Sequence, residues 1–290
     1  MNLHTDPFLG SDFACDDIEK SAVIIIPFPY EGGVSYGTGA AGAPYKILEA
    51  SAYLEEYDEV LRSEPWKNGI ATLGIPEIAR DPEEVMRQIE SLVTPVLQRN
   101  ALPIILGGDH SITTGALRAM NTVYGEFSVL QLDAHADLRD EYENSRHSHA
   151  CAMARARELT PHVAQLGVRS MSSAEAKLIR DNNYTVCTMH DYRSDKSSLD
   201  ELIAFLPNPL YLTIDVDVLD WSVVSSTGTP EPGGFTWDEI IGILSEILNC
   251  RRVVGIDVVE LAAMEGDNRS AFAVAKLIYK MIGYQFQNSV

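Results

Sequence analysis

Cysteine is scarce in this 290-residue chain: Cys15, Cys151, Cys187 and Cys250 are the only four, and no two form a CxxC pair. A zinc ribbon or a redox dithiol is therefore not expected, and reduced thiols in a cytoplasmic protein are. Basic residues are also few, 22 Lys and Arg against 42 Asp and Glu, for a formal net charge of −20. That balance argues against a nucleic-acid partner, because phosphate binding needs clustered Lys and Arg. Long apolar runs are missing, and none approaches the ~18 residues that a membrane span requires. The segment MNLHTDPFLGSDF carries no basic stretch followed by an apolar one, so no signal peptide is expected. Pro/Ser-rich linkers, internal repeats and low-complexity tracts are absent too. At this length their absence favours one domain, residues 1–290 with 1–20 as an N-terminal extension.

A hydrophobic content of 46% with 22% charged residues is enough to bury a sizeable core. The acidic excess suits a solvated surface and a field that concentrates cationic ligands. Short apolar runs at 21–28, 102–107, 127–133, 163–168, 184–189, 210–215 and 252–257 read as strands. Amphipathic segments between and after them, including 82–100, 172–183, 236–248 and 270–283, read as helices. Strands apolar on both faces that alternate with helices predict a three-layer α/β/α fold around a mainly parallel sheet.

The reactive residues fall at the ends of these strands. His110 follows LPIILG through Gly107-Gly108-Asp109, and Asp133, His135 and Asp137 follow FSVLQL. Asp215 and Asp217 end LYLTI, and Glu260 follows RVVGIDVV. Open parallel sheets bind ligands outside the carboxyl ends of their strands, so four strands deliver polar residues to one edge. In an extended segment, side chains i, i+2 and i+4 point the same way, which brings the Asp133 group together past two small alanines. An Asp-x-Asp pair alone is weak, since turns and phosphatases share it, and a lone His110 is more often structural. The combination is stronger. Four buried carboxylates would repel unless cations intervene, and two divalent ions balance the four charges of Asp133, Asp137, Asp215 and Asp217. His110 and His135 then offer one neutral nitrogen per ion, and this oxygen-rich set without thiolate favours manganese or magnesium.

These residues carry a family resemblance. GGDHSI (107–112), DAHADLRD (133–140) and TIDVDVLD (213–220) resemble the three metal-binding motifs of the ureohydrolases, the arginase and agmatinase family. PFPYEGGVSYGTGAAGAP (27–44), STGTPEPGG (226–234), GIDVVEL (255–261) and SAFAVAKLIYKMIGY (270–284) resemble further agmatinase segments, so the likeness spans most of the chain. It implies an arginase-like fold and two manganese ions per subunit, held by His110, Asp133, His135, Asp137, Asp215 and Asp217. It also implies a cationic guanidino substrate, attack by a metal-bridging hydroxide, and a trimeric or hexameric assembly. Asp137, Glu260 and His149 form the implied catalytic set. Glu260 would hold the guanidinium through paired N–H bonds, and His149 of the Ser148-His149 pair would shuttle protons near neutral pH. His147 is expected at the surface.

The loop LRDEYENSRHSH (138–149) is acidic at Asp140, Glu141 and Glu143, which suits a substrate with an amine at its far end. Glu141 and Asn144 are expected to meet that tail, making agmatine the leading substrate ahead of aminopropylagmatine. Arg139 and Arg146 would instead suit the carboxylate of 4-guanidinobutyrate; guanidine, with nickel as an alternative metal, and arginine complete the family alternatives. A one-ion deacylase and a non-catalytic polyamine binder are the competing classes. Three stretches depart from the family: WSVVSS (221–226), Ala262-Ala263-Met264, and Ala43 where a glycine is usual. None removes a ligand.

Overall fold

A computed structural model describes residues 2–195 and 197–287. Eight strands make one sheet: β1 (Val23–Pro27), β2 (Ile70–Thr72), β3 (Leu102–Leu106), β4 (Ser128–Leu132), β5 (Val163–Val168), β6 (Thr185–Thr188), β7 (Leu210–Asp215) and β8 (Val253–Val259). Their order is β2-β1-β3-β8-β7-β4-β5-β6, and every pairing is parallel. The helices between them are α1 (Ala43–Ser51), α2 (Pro82–Gln98), α3 (Thr113–Tyr124), α4 (Ala152–Leu159), α5 (Ser173–Asn182), α6 (Met189–Ser194), α7 (Ser197–Phe205), α8 (Trp237–Cys250) and α9 (Asn268–Phe286).

The β-branched runs explain the layering, because alternate side chains of one strand serve opposite faces. Val23 and Ile25 pack into a core shared with α1 and α6–α9, whereas Ile24 and Ile26 join a second core under α2, α3 and α4. With both faces covered, β1, β3, β4, β5, β7 and β8 are buried throughout. Helix starts carry their own signals. Asp81 caps α2 by accepting the Glu84 N–H with Pro82 at the first position, and Ser172 and Thr236 form capping boxes at α5 and α8.

Every strand read from the sequence exists. The edge strand β2 went unread because three residues show no periodicity. The first 20 residues pack onto the domain: Leu3 pairs with Leu73, and Phe8 is fully buried in the core that α1 covers. Among the described residues no helix is long and apolar enough to cross a membrane. The four strands that end in candidate residues, β3, β8, β7 and β4, are consecutive at the middle of the sheet. The strand order therefore brings their carboxyl ends together.

Candidate metal centre and substrate cavity

His110 reaches the sheet edge over a turn that only glycine permits. A Cβ on Gly108 would lie 1.7 Å from the Tyr30 carbonyl oxygen, so the chain presses backbone against backbone there. The Asp109 carboxylate then accepts the Gly33 and Ser111 N–H groups at 2.7 and 3.0 Å and starts a 3-10 turn over His110–Ile112. The ring of His110 is fixed from behind. Its Nε2 lies 2.8 Å from Thr213 Oγ1, whose only hydroxyl proton goes to Asp257 Oδ1 at 2.5 Å. Thr213 therefore accepts, Nε2 donates, and Nδ1 is the ring nitrogen that faces the carboxylates. Tyr211 and Thr113 hydroxyls hold the other Asp257 oxygen at 2.8 and 2.9 Å.

The aspartates converge by a different backbone route from the one the extended reading assumes. β4 stops at Leu132, the chain bends at Ala134, and Asp137 turns left-handed with φ 50°. Its carbonyl accepts the Met153 and Ala154 N–H groups at the start of α4, at 3.0 and 3.2 Å. Likewise Asp217 does not continue β7. A 3-10 turn over Val216–Val218 begins at Asp215, whose carboxylate accepts the Asp217 N–H at 2.8 Å. Glu260 is left-handed too, with φ 64°, and its N–H is tied to the Gly108 carbonyl at 2.8 Å. Such backbones cost on the order of 1 kcal/mol each, and here surrounding hydrogen bonds hold them.

Two groups of side chains can each hold an ion: His110, Asp133 and Asp137, and Asp133, His135 and Asp217, with ligand atoms within 4.8 Å of one another in each. His110 Nδ1 lies 3.0 Å from Asp133 Oδ2, 3.2 Å from Asp137 Oδ2 and 3.6 Å from Asp215 Oδ2. His135 Nδ1 lies 2.9 Å from Asp217 Oδ2 and 3.6 Å from Asp133 Oδ1. Asp133 thus belongs to both groups, one oxygen in each, which suits a carboxylate shared between two ions.

The chemistry of these donors fits cations. His110 Nδ1 and Asp217 Oδ2 are buried without a hydrogen bond, and a nitrogen facing three carboxylates is favourable only with positive charge between them. Burial opposes a charge on His110, yet Asp133, Asp137 and Asp215 push its pKa well above the ordinary histidine value, a demand that a metal ion meets equally. Burial and then Asp217 and Asp133 push Asp215 well above the ordinary carboxylate range, and burial with Asp133 raises Asp137 to about 6. Burial works against a charge on His135, yet Asp133 and Asp217 drive its pKa up to about 12. The protein supplies more negative charge than it neutralises.

Side chains that the motifs did not single out hold this set in place. Gln131 Nε2 donates to Asp133 Oδ2 at 2.6 Å, and Gln165 donates to Gln131 Oε1 at 2.5 Å and to the Ala136 carbonyl at 2.7 Å. Arg169 bonds the carbonyls of Asp217, Glu231 and Pro232 at 2.6, 2.9 and 3.0 Å, fastening the TPEPGG segment to the end of β7. Gln131 could have been found from its place in QLDAHAD, where a polar residue interrupts an otherwise apolar strand.

Above the cluster, Glu260 Oε1 accepts the His110 N–H at 2.7 Å and meets His149 Nδ1 at 3.2 Å. Burial opposes a charged His149, but Glu260 raises its pKa to about 9. A cavity of about 270 Å³ opens here, with His135, Asp137, Asp215 and His149 at its floor and Arg139, Tyr142, Met171 and Glu175 among its walls. The expected tail residues do not reach it. Glu143 and Asn144 both have positive φ in the two-residue turn that joins Tyr142 to Ser145, which leaves Glu141 and Asn144 exposed and outside the cavity walls. Asp140 is paired with Arg155 at 2.5 Å. His147 is partly buried, with Nε2 3.6 Å from Glu83. It takes no part in the cavity walls.

The unusual WSVVSS stretch is anchored, since Asp267 accepts the Ser225 hydroxyl at 3.0 Å and those of Ser226 and Ser270 at the start of α9. In the stretch Ala262-Ala263-Met264, where a proline is common, Ala263 donates its N–H to the Gly39 carbonyl at 2.9 Å and Ala262 to the Ser226 carbonyl at 2.9 Å, bonds that a proline at either place could not make. Ala43 opens α1.

The arginase-family sequence pattern matches residues 21–283. The chain belongs to the arginase family. Among its family relatives, N(1)-aminopropylagmatine ureohydrolase of Synechocystis sp. is 36% identical over 287 residues, covering 96% of this chain and 93% of the relative. Agmatinase of Pyrococcus horikoshii is 33% identical over 285 residues, covering 98% and 99%. The crystal structure of agmatine ureohydrolase of Thermoplasma volcanium superposes with a TM-score of 0.88 at 28% identity, covering 96% of this chain and 94% of that one. Arginase-family enzymes depend on a pair of metal ions, and the His/Asp cluster stands where such ions can be held. The chain is an arginase-family ureohydrolase.

Proposed function

We propose that this ureohydrolase releases urea from the guanidino end of an amine-tailed substrate, agmatine or its N1-aminopropyl extension. The observation that carries the reading is the bare His110 Nδ1 facing three carboxylates directly beneath Glu260 and the cavity. His110, Asp133, His135, Asp137, Asp215 and Asp217 would hold two manganese ions, which when bound supply a water ionised near neutral pH. Glu260 Oε1 is already used by His110 and His149, and no described residue hydrogen-bonds Oε2, which is free to accept a guanidinium N–H. His149, protonated beside Glu260, is placed to give a proton to the departing amine. The aminopropyl-extended substrate is favoured by the names of several relatives and by a cavity that Tyr142, Met171 and Glu175 line as well as the ligand residues.

A second reading has its own observation. The 138–149 loop presents Arg139 to the cavity while Glu141 and Glu143 stay outside, which suits the carboxylate tail of 4-guanidinobutyrate. Arg139 is, however, stacked 4.5 Å from the Tyr142 ring centre with Nε 4.0 Å from Glu175, so its charge is partly spent. The same proposal includes a homo-oligomer in the cytoplasm, with manganese ahead of nickel. Urea release after manganese loading, compared for aminopropylagmatine, agmatine, 4-guanidinobutyrate, guanidine and arginine, tests it. Preference for an amine-tailed guanidine is expected; preference for the carboxylate substrate would overturn it in favour of the second reading.

A further inference from the structure

His149 is held at both ring nitrogens, and only one partner belongs to the site already described. Nδ1 faces Glu260, while Nε2 lies 2.8 Å from the hydroxyl of Ser35. Ser35 comes from the loop between β1 and α1 and lines the same cavity as His149.

That loop is fastened where it matters. Gly33 donates its N–H to Asp109 at 2.7 Å, and its carbonyl accepts the His149 N–H at 3.0 Å and the Ser148 hydroxyl at 3.2 Å. A Cβ on Gly33 would fall 2.8 Å from the His147 carbonyl oxygen, so the two loops touch backbone to backbone. Two residues earlier, Glu31 accepts the Gly39 and Ala41 N–H groups at 2.7 and 3.0 Å and closes the loop on itself. Ser35 is thereby set against His149 by bonds on both sides of it.

We propose that Ser35 is the outer member of a proton relay, standing between His149 Nε2 and the nitrogen that leaves the guanidino group. With His149 protonated, Nδ1–H is directed at Glu260 and Nε2–H at Ser35 Oγ. The serine proton is then the one pointing elsewhere, and the wall it lines is where substrate lies. Hydrolysis adds one water: its oxygen becomes the urea oxygen, and both its protons end on the amine as the carbon–nitrogen bond breaks. The relay carries one of them. Ser35 Oγ–H passes to the leaving nitrogen, His149 Nε2–H replaces it on Oγ, and His149 recovers a proton from the water consumed. A hydroxyl on a short side chain suits this step because it donates and accepts at once.

The relay rests on the ureohydrolase reading, so its test keeps the two apart. Wild-type, S35A, S35T, H149A and the double variant are loaded with manganese and assayed for urea with agmatine and aminopropylagmatine from pH 6 to 10. S35A is expected to lose about 10- to 100-fold in kcat with KM nearly unchanged, within the range of general acid catalysis. S35T, which keeps the hydroxyl, recovers most of the rate. Removing Ser35 from H149A costs nothing further, because the two act as one unit. The alkaline limb of the S35A profile shifts, with Glu260, Asp137 and Asp109 the charged groups that face His149.

A second readout needs no turnover. In metal-free protein, carbethoxylation of His149 by diethylpyrocarbonate, followed by peptide mass spectrometry, speeds up several-fold in S35A as Nε2 is uncovered. A kcat for S35A within twofold of wild type, or losses in S35A and H149A that multiply, overturns the relay. Unchanged labelling of His149 does so too. Wild-type protein that releases no urea from either substrate overturns the amine-tailed reading and not the relay, which the labelling of His149 still tests directly.

Discussion

Two buried acidic sites in this molecule are solved in opposite ways. Asp58 is fully buried on the loop after α1, and Lys280 of α9 comes within 3.0 Å of it and of Glu59. Burial works against its charge, but the Leu61 N–H and Lys280 hold the Asp58 carboxyl below the ordinary range. At the carboxyl edge of the sheet, Asp215 and Asp217 are equally buried and are pushed up instead. Arg169 is the nearby strong base, yet its guanidinium hydrogen-bonds backbone carbonyls and no carboxylate. Buried carboxylates with a cation of their own are structural. Those arranged around bare nitrogen and oxygen atoms leave room for cations from outside.

The contrast breaks most sharply at Asp133, which serves both ion groups. D133N is expected to empty the site of manganese, measured by elemental analysis, and to cut urea release by at least ~10³-fold. Full metal content in that variant would remove the bridging role. The other site should respond only in stability. K280M leaves Asp58 buried without its partner and is expected to lower the unfolding free energy by about 3–5 kcal/mol in urea denaturation, with metal content unchanged. A loss below ~1 kcal/mol would mean that solvent reaches Asp58.

A third prediction concerns pH. The folded pKa of His149, about 9, lies above its unfolded value of ~6.5, so the protonated form is favoured by folding. The stability it adds is fully present below pH ~6.5, is lost as pH rises through about 9, and amounts to about 3 kcal/mol. Denaturation of metal-free protein at pH 6.5 and 9.5 measures this slope, which E260Q should flatten. The smallest effect is expected from T213V. Losing the bond that orients His110 should weaken manganese binding 10- to 100-fold, roughly 1.4–2.7 kcal/mol, without emptying the site at saturating metal. An unchanged affinity would mean that His110 is oriented by packing alone.

Much of this was open to reading in the sequence, and for a physical reason. His110, Asp133, Asp215 and Glu260 each follow a run of apolar residues too short for anything but a buried strand, so the sheet edge could be assembled from the chain alone. The means by which Asp137 and Asp217 join it could not. Strand periodicity does not announce a left-handed residue or a 3-10 turn, and the extended reading reached the right residues by the wrong backbone. The acidic loop misled more seriously. Composition marks Glu141 and Asn144 as polar, but the tight turn at 143–144 decides that they face away from the cavity while Arg139 and Tyr142 face in. Ser35, Gln165 and Asp257 stayed hidden because their partners are 29 or more residues away in sequence. Only the folded chain puts Ser35 beside His149 and Asp257 behind His110.

Metal stoichiometry is the most direct test of a centre built on both groups around Asp133. Protein stripped with chelator, reloaded with manganese and freed of excess should bind two ions per chain in wild type. One ion or none in the wild-type chain would contradict that centre.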